Sequence, residues 1–151
     1  MRVIISTKCQ YALRAVYEIA RSDHGRVMTI GDIAKAQRVP KRYLEGILNQ
    51  LRKGGLLEAQ RGRSGGYRLA RDADDITVGE VVRQIDGPIR AVVCVEEAKI
   101  TDCPMRENCV FLPTWQKVQD AIDQALDSTS LHCLVKLEKE TRREGCSNYA
   151  I

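Results

Sequence analysis

The chain has 151 residues and is 44% hydrophobic but only 5% aromatic, which suits one domain, or a small domain with an added arm, whose core is built from Leu, Ile, Val and Ala. No apolar run is long enough to cross a bilayer and the start shows no secretory h-region, so a cytoplasmic protein is expected, in which six cysteines argue against a disulfide scaffold. The net charge of +4 hides an asymmetry: residues 1–71 carry 15 Lys and Arg against 5 Asp and Glu, residues 72–151 carry 9 against 15, and the basic half is suited to a polyanion.

Thr7-Lys8-Cys9-Gln10 fits a capping box, with a Thr hydroxyl at the N-cap and Gln three residues on. Tyr11, Ala12, Ala15, Val16, Ile19 and Ala20 then repeat at helical spacing, giving a first helix over 7–22. Asp23-His24-Gly25 ends it, and His24 is assigned no role. A second, short helix follows Met28, capped at Thr29 or a neighbour, with Ile33 and Ala34 facing inward. Pro40 breaks the chain and then occupies the first turn of a third helix, whose stripe is Leu44, Ile47, Leu48 and Leu51. Its start and opposite face carry Lys41, Arg42, Tyr43, Glu45 and Asn49, and Gly54-Gly55 stops it. Two short helices joined by a tight turn, the second with a polar and basic start, match helix-turn-helix readers of double-stranded DNA.

Leu56 to Arg61 reads as a strand, 62–66 as a flexible turn, and Tyr67 to Ala70 as the returning strand. Arg61 and Arg63 stand at the tip among glycines, as suits a wing touching a narrow minor groove or the phosphates beside it. The expected fold class is therefore mainly α with a small β-hairpin wing: a winged helix-turn-helix domain plus a long dimerisation helix. A further helix over 74–85 is capped at Thr77 with Glu80 completing a capping box, and Val81, Val82 and Ile85 should pack on the winged domain.

Pro113 opens the long helix, in which Trp115, Val118, Ile122, Ala125 and Leu126 form the apolar stripe. Gln116, Lys117, Gln119, Asp120 and Asp123 take the other face. The stripe needs a cover, and the same helix of a second chain, in a homodimer, is the expected one. Ser130 to Val135 is a short apolar element. The resulting division is a DNA-binding domain over 1–86, a cysteine-bearing sensor loop over 87–112, the dimerisation helix and following short helix over 113–135, and a charged flexible tail over 136–151 containing Cys146.

Cys94, Cys103 and Cys109 lie within sixteen polar residues. Zinc would usually show a paired C-x2–4-C, and neither gap is that short. A metal site, zinc included, a thiol switch forming a disulfide or sulfenic acid, and idle exposed thiols all stay open on spacing alone. There is no C-x-x-C redox motif, no Ser/His/Asp set with only two His, and no P-loop or G-x-G-x-x-G after a strand, so no enzyme is expected.

Ser6-Thr7-Lys8, Tyr11 to Ala15, Tyr43-Leu44-Glu45, Leu51 to Leu56, Arg61 to Tyr67 and Val78 to Val81 occur in order, and this run closely resembles the bacterial winged-helix regulator family of IscR, NsrR, RirA and CymR over roughly residues 1–135. The resemblance implies a homodimeric transcription factor, expected to be a repressor, whose long helix crosses its partner. It also implies an iron–sulfur cluster, [2Fe–2S] ahead of [4Fe–4S], on Cys94, Cys103 and Cys109, sensing iron, redox state or nitric oxide; Trp115, six residues past the last cysteine, fits the pattern. By the same correspondence Tyr43 and Glu45 meet bases and Arg61 enters the minor groove. Two positions depart. The gap between the first two cysteines is eight residues, longer than in IscR, and Leu112 stands where IscR supplies a His as fourth ligand. Gln10 stands where some relatives place an acidic ligand, leaving Cys9, His132 or Cys133 as candidates. The alternative is a metal-free member controlled by thiol oxidation or by a regulatory protein partner.

Overall fold

The computed structural model describes residues 5–22, 26–62, 65–92, 103 and 108–147, the last six by backbone alone. Its elements run α1 (Thr7–Arg21), α2 (Ile30–Gln37), α3 (Lys41–Lys53), β1 (Leu57–Gln60), β2 (Gly66–Leu69), α4 (Val78–Asp86), α5 (Leu112–Asp127) and α6 (Leu131–Ser147). The inward stripes of α1, α3 and α4 close one core with Ile33, Leu56, Leu57, Ile76 and Leu131.

α1 is capped one residue earlier than the local pattern suggests. Ser6 Oγ accepts the Cys9 N–H at 3.0 Å and donates to Asp86 Oδ1 at 2.6 Å, while the Ser6 N–H donates to Asp86 Oδ2 at 2.8 Å. A carboxylate at the end of α4 thus orients the hydroxyl, a contact that no local motif could reveal.

α2 starts at Thr29, whose hydroxyl accepts the Asp32 N–H at 3.2 Å. It ends at Arg38 in the left-handed region (φ 52°), which makes the tight turn into Val39-Pro40 and α3. At the end of α3, Leu56 N–H reaches the Leu51 carbonyl and Gly55 N–H the Arg52 carbonyl, both at 3.1 Å. This Schellman closure needs a positive φ at Gly55, where it is 73°. The chain is thereby turned directly into β1.

β1 and β2 pair antiparallel from Leu57 with Leu69 to Gln60 with Gly66. Met28 adds a third edge, exchanging both backbone hydrogen bonds with Tyr67 at 2.8 and 2.9 Å. Gly66 is required there, because a Cβ would fall on the Met28 carbonyl. The wing is therefore sewn to the segment that enters the helix-turn-helix.

The capping box at α4 is complete: Thr77 accepts from Glu80 N–H and Glu80 from Thr77 N–H. Burial raises the Glu80 carboxyl pKa, but hydrogen bonds from Arg71 and the Thr77 backbone outweigh it, so the net shift is downward. Val81, Val82 and Ile85 are buried, as expected. Across from α4, Arg83 pairs with Asp127 and, at 3.6 Å, with Asp123, fixing α5 against α4.

The expected charged tail over 136–151 is corrected in part, since α6 continues to Ser147. Tertiary anchoring is the reason. Leu131 and Val135 are buried, and Glu138 accepts from Tyr17 Oη at 2.5 Å and faces Arg21 at 3.8 Å. These contacts hold α6 along α1, so its charged second half extends a helix already nucleated and docked.

Candidate nucleic-acid interface and cysteine segment

The first turn of α3 projects Lys41, Arg42, Tyr43 and Glu45 outward, all four exposed, because Leu44, Ile47, Leu48 and Leu51 take the opposite side of the helix into the core. Lys41 and Glu45 line a groove together with Thr29, Gln60, Gly62 and Gly65. The start of the second helix of the helix-turn-helix and the root of the wing therefore open on the same side. Arg61 is exposed at the end of β1, beside Gly62, while Arg63 lies outside the described residues.

Tyr43 is 48% exposed. Its ring centroid lies 6.0 Å from that of Tyr11, and the Arg42 guanidinium carbon sits 4.8 Å from the Tyr43 centroid. The pair forms a rigid aromatic step with a cation on it. Thr7, Lys8 and Tyr11 line a second groove with Arg42, Tyr43, Gly46 and Ile47, so the first turn of α1 belongs to this surface. Lys8 reaches across it to Gln50 Oε1 at 2.6 Å. Neither Lys8 nor Tyr11 is among the DNA contacts that the sequence pattern points to. A signal was present: a lysine in the first turn opposes the helix dipole and so needs another justification.

In the cysteine segment, Cys103 is exposed and Cys109 half-buried, both as free thiols, and Cys94 lies outside the described residues. The chain leading into the segment is pinned to α5 by Gln119. Its Oε1 accepts the Ala91 N–H and its Nε2 donates to the Ile89 carbonyl, both at 2.9 Å. Nε2 also donates to Asp123 Oδ2 at 3.0 Å. The chain leaving the segment runs straight into α5, with Leu112 N–H on the Cys109 carbonyl at 3.2 Å. Both ends are thus tied to one helix. Gln119 and Asp123, expected on the solvent face, instead hold the segment and α4; their polar character alone gave no sign of this.

Cys9 is corrected as a ligand candidate. It is 0% exposed within the core, and burial, followed by the neighbouring Asp86, pushes its thiol pKa up to about 11. A metal ligand must be a thiolate, which this site disfavours. His132 and Cys133 are exposed on α6, with His132 Nδ1 4.0 Å from Asp74. The Cys146 side chain lies outside what is described. Among the described residues no three His, Cys, Asp or Glu side chains gather as a metal site, and none of the helices is long and apolar enough to cross a membrane.

α5 offers no buried residue. Phe111 and Trp115 stack at its start with centroids 6.4 Å apart, and Val110, Phe111 and Val118 are 79%, 61% and 39% exposed.

Residues 5–137 match the family described as Rrf2, iron-dependent transcriptional regulator. An Rrf2-like helix-turn-helix transcriptional regulator of Rhodobacter capsulatus is 43% identical over 103 residues, 66% of this chain and 69% of that one. The structure of CymR, the global cysteine regulator of B. subtilis, aligns with TM-score 0.71 and 31% identity over 91% of this chain and 98% of its own. IscR of T. potens aligns with TM-score 0.71 and 30% identity over 93% and 90%. The winged helix-turn-helix is common to them, and these relatives are regulators, not enzymes.

Proposed function

Because the chain belongs to the Rrf2 family of DNA-binding transcriptional regulators, we propose that it is a homodimeric, sequence-specific repressor whose operator affinity is set by an iron–sulfur cluster on Cys94, Cys103 and Cys109. The observation that carries the DNA reading is the groove shared by Lys41, Glu45 and the wing root. With Arg42 and Tyr43 beside it, this side offers a helix start for the major groove and Arg61 for the adjoining minor groove or phosphates. Arg63 adds a phosphate contact.

The uncovered stripe of α5 supports the dimer. A second copy of the same helix would bury Phe111 and Val118 and set two winged domains for half-sites about 34–36 Å apart. An operator occupied in this way excludes other proteins from the same stretch of DNA, the simplest route to repression.

The donor set suits the cluster: Cys103 and Cys109 are free and reachable from solvent, and Cys94 supplies a third thiol. We place [2Fe–2S] ahead of [4Fe–4S]. When bound, the cluster supplies a centre that responds to iron supply, oxygen or nitric oxide. The chain's own part is Gln119, which ties Ile89 and Ala91, just before Cys94, to the helix that carries the dimer. Occupancy of the segment then biases the angle between α5 and the winged domain.

A second reading rests on the exposure of Cys103 and the likeness to a cysteine regulator. There, oxidation of the thiols or a bound regulatory protein replaces the cluster. Protein purified without oxygen separates the two. Iron and acid-labile sulfide in comparable amounts, with visible absorption that bleaches in air, is the expected result. Colourless protein lacking both elements after reconstitution would leave only the second reading.

A further inference from the structure

Glu18 is the one charged residue that is buried among the described residues, at 4% exposure. A carboxylate in such a place is costly unless it is fully paired. Two donors meet it: Arg21 at 2.7 Å and Gln37 Nε2 at 2.6 Å. Gln37 is the last residue of α2, and Arg38 after it forms the left-handed turn that aims α3. The other polar groups of Gln37 are also held from α1. The Arg14 guanidinium donates to Gln37 Oε1 at 3.4 Å and to the Gln37 carbonyl. The turn is thus gripped by one face of α1 through its own side chain and backbone.

The same cluster continues in the other direction. Arg21, which pairs with Glu18, also faces Glu138 of α6 at 3.8 Å. Tyr17 donates to Glu138 at 2.5 Å, and burial together with that carboxylate pushes its pKa up to about 12. One connected set of polar contacts therefore runs from α6, through α1, to the turn that positions the recognition helix.

Resting on the DNA-binding reading above, we propose that Glu18 is a positioning residue for sequence recognition, fixing the helix-turn-helix turn through Gln37 and coupling it through Arg21 to Glu138 of α6. Neither glutamate lines the grooves beside α3 and the wing. Their effect falls on register at the bases, not on the phosphate attraction that governs non-specific binding. α6 directly follows α5, so a shift of the α5 arm would be felt at the turn.

The test uses the full-length protein and a duplex enriched from a randomised library by the wild type. Affinities for that duplex and for an unrelated one are measured by fluorescence anisotropy at one salt concentration, with thermal midpoints alongside. Glu18→Gln, which keeps the shape and removes the charge, should weaken the enriched duplex about tenfold, the scale of one charge-assisted hydrogen bond. The unrelated duplex should be nearly unaffected. Glu138→Gln, a half-exposed change that leaves the core intact, should give a smaller loss in the same sense, and that loss should vanish in the Glu18→Gln background. A merely structural staple would lower the thermal midpoint without changing the ratio of the two affinities, or would make the two losses add; either result overturns the proposal. Failure of Glu18→Gln to fold leaves the decision to Glu138→Gln and Gln37→Leu as a pair, with additive losses again contrary. A wild-type protein that enriches no duplex would instead remove the DNA-binding reading, and this inference with it.

Discussion

Replacing Gln119 with Leu removes the clamp on the cysteine segment while keeping a helix-forming side chain of similar length. Two hydrogen bonds to backbone groups are lost, to the Ile89 carbonyl and from the Ala91 N–H, each 2.9 Å long. A net contribution of about 1 kcal/mol for each gives about 2 kcal/mol. Both contacts are only part-buried, so water recovers part of that. The local opening of residues 89–91 should become about tenfold more frequent. Hydrogen exchange read at the Ala91 amide is the assay, with interior amides of α3 as the internal control. Ala91 should lose protection while α3 keeps its own. The thiols should also bind iron less tightly, by no more than about the same tenfold, since the clamp can lend the segment no more than its own free energy. Unchanged exchange at Ala91 would refute the clamp. Faster exchange with unchanged iron retention would separate the clamp from any role in holding the segment.

Four further outcomes are expected. Arg61→Ala should weaken binding to an enriched duplex by about 1–3 kcal/mol, and Lys8→Ala should weaken all duplexes alike and reduce the salt slope by about 1, both read from anisotropy titrations at several salt concentrations; unaltered binding in both variants would remove the wing and α1 from the interface. Cys9 has a folded pKa of about 11 against 9.0 for the free group, so the neutral thiol favours the native state. That contribution, about 2–3 kcal/mol, is fully present below pH 9 and lost as the pH rises through 11. Denaturant titrations of wild type and Cys9→Ala across that window should converge at high pH, and parallel curves would show that the thiol is not held neutral by the fold. Gly66→Ala should cost about 2 kcal/mol through the clash with the Met28 carbonyl, measured by thermal melting, with the Met28–Tyr67 edge lost first; an unchanged melt would mean the wing can move away from Met28 freely.

Features written into neighbouring residues were legible in the amino-acid sequence. The Thr77–Glu80 capping box, the Gly54-Gly55 stop and the i, i+3, i+4 stripe of α3 are local, and each stands where the pattern put it. The exposed first turn of α3 followed from that stripe, because the core side of a helix dictates the other side. What escaped reading depends on distant partners. Ser6, not Thr7, caps α1 because Asp86, eighty residues away, orients it. α6 is docked by Tyr17 and Arg21 through Glu138, a contact between opposite ends of the chain, and its second half continues from that anchored part. Gln119 looked like any solvent-facing polar residue until the fold laid Ile89 and Ala91 across it. Cys9 was a ligand candidate only because it adjoins Gln10; its spacing from Ala12 and Val16 puts it on the core face of α1, where the structure has it.

The central claim is that the state of the cysteine segment sets affinity for DNA. The most direct measurement is an oxygen-free anisotropy titration of one enriched duplex with iron-loaded wild type and with Cys103→Ala, after confirming that both are dimers by light scattering. The variant should lack iron, and its dissociation constant should differ from that of the wild type by about 5- to 150-fold, the range of an allosteric coupling. Two dimers with equal dissociation constants, one carrying iron and one not, would contradict it.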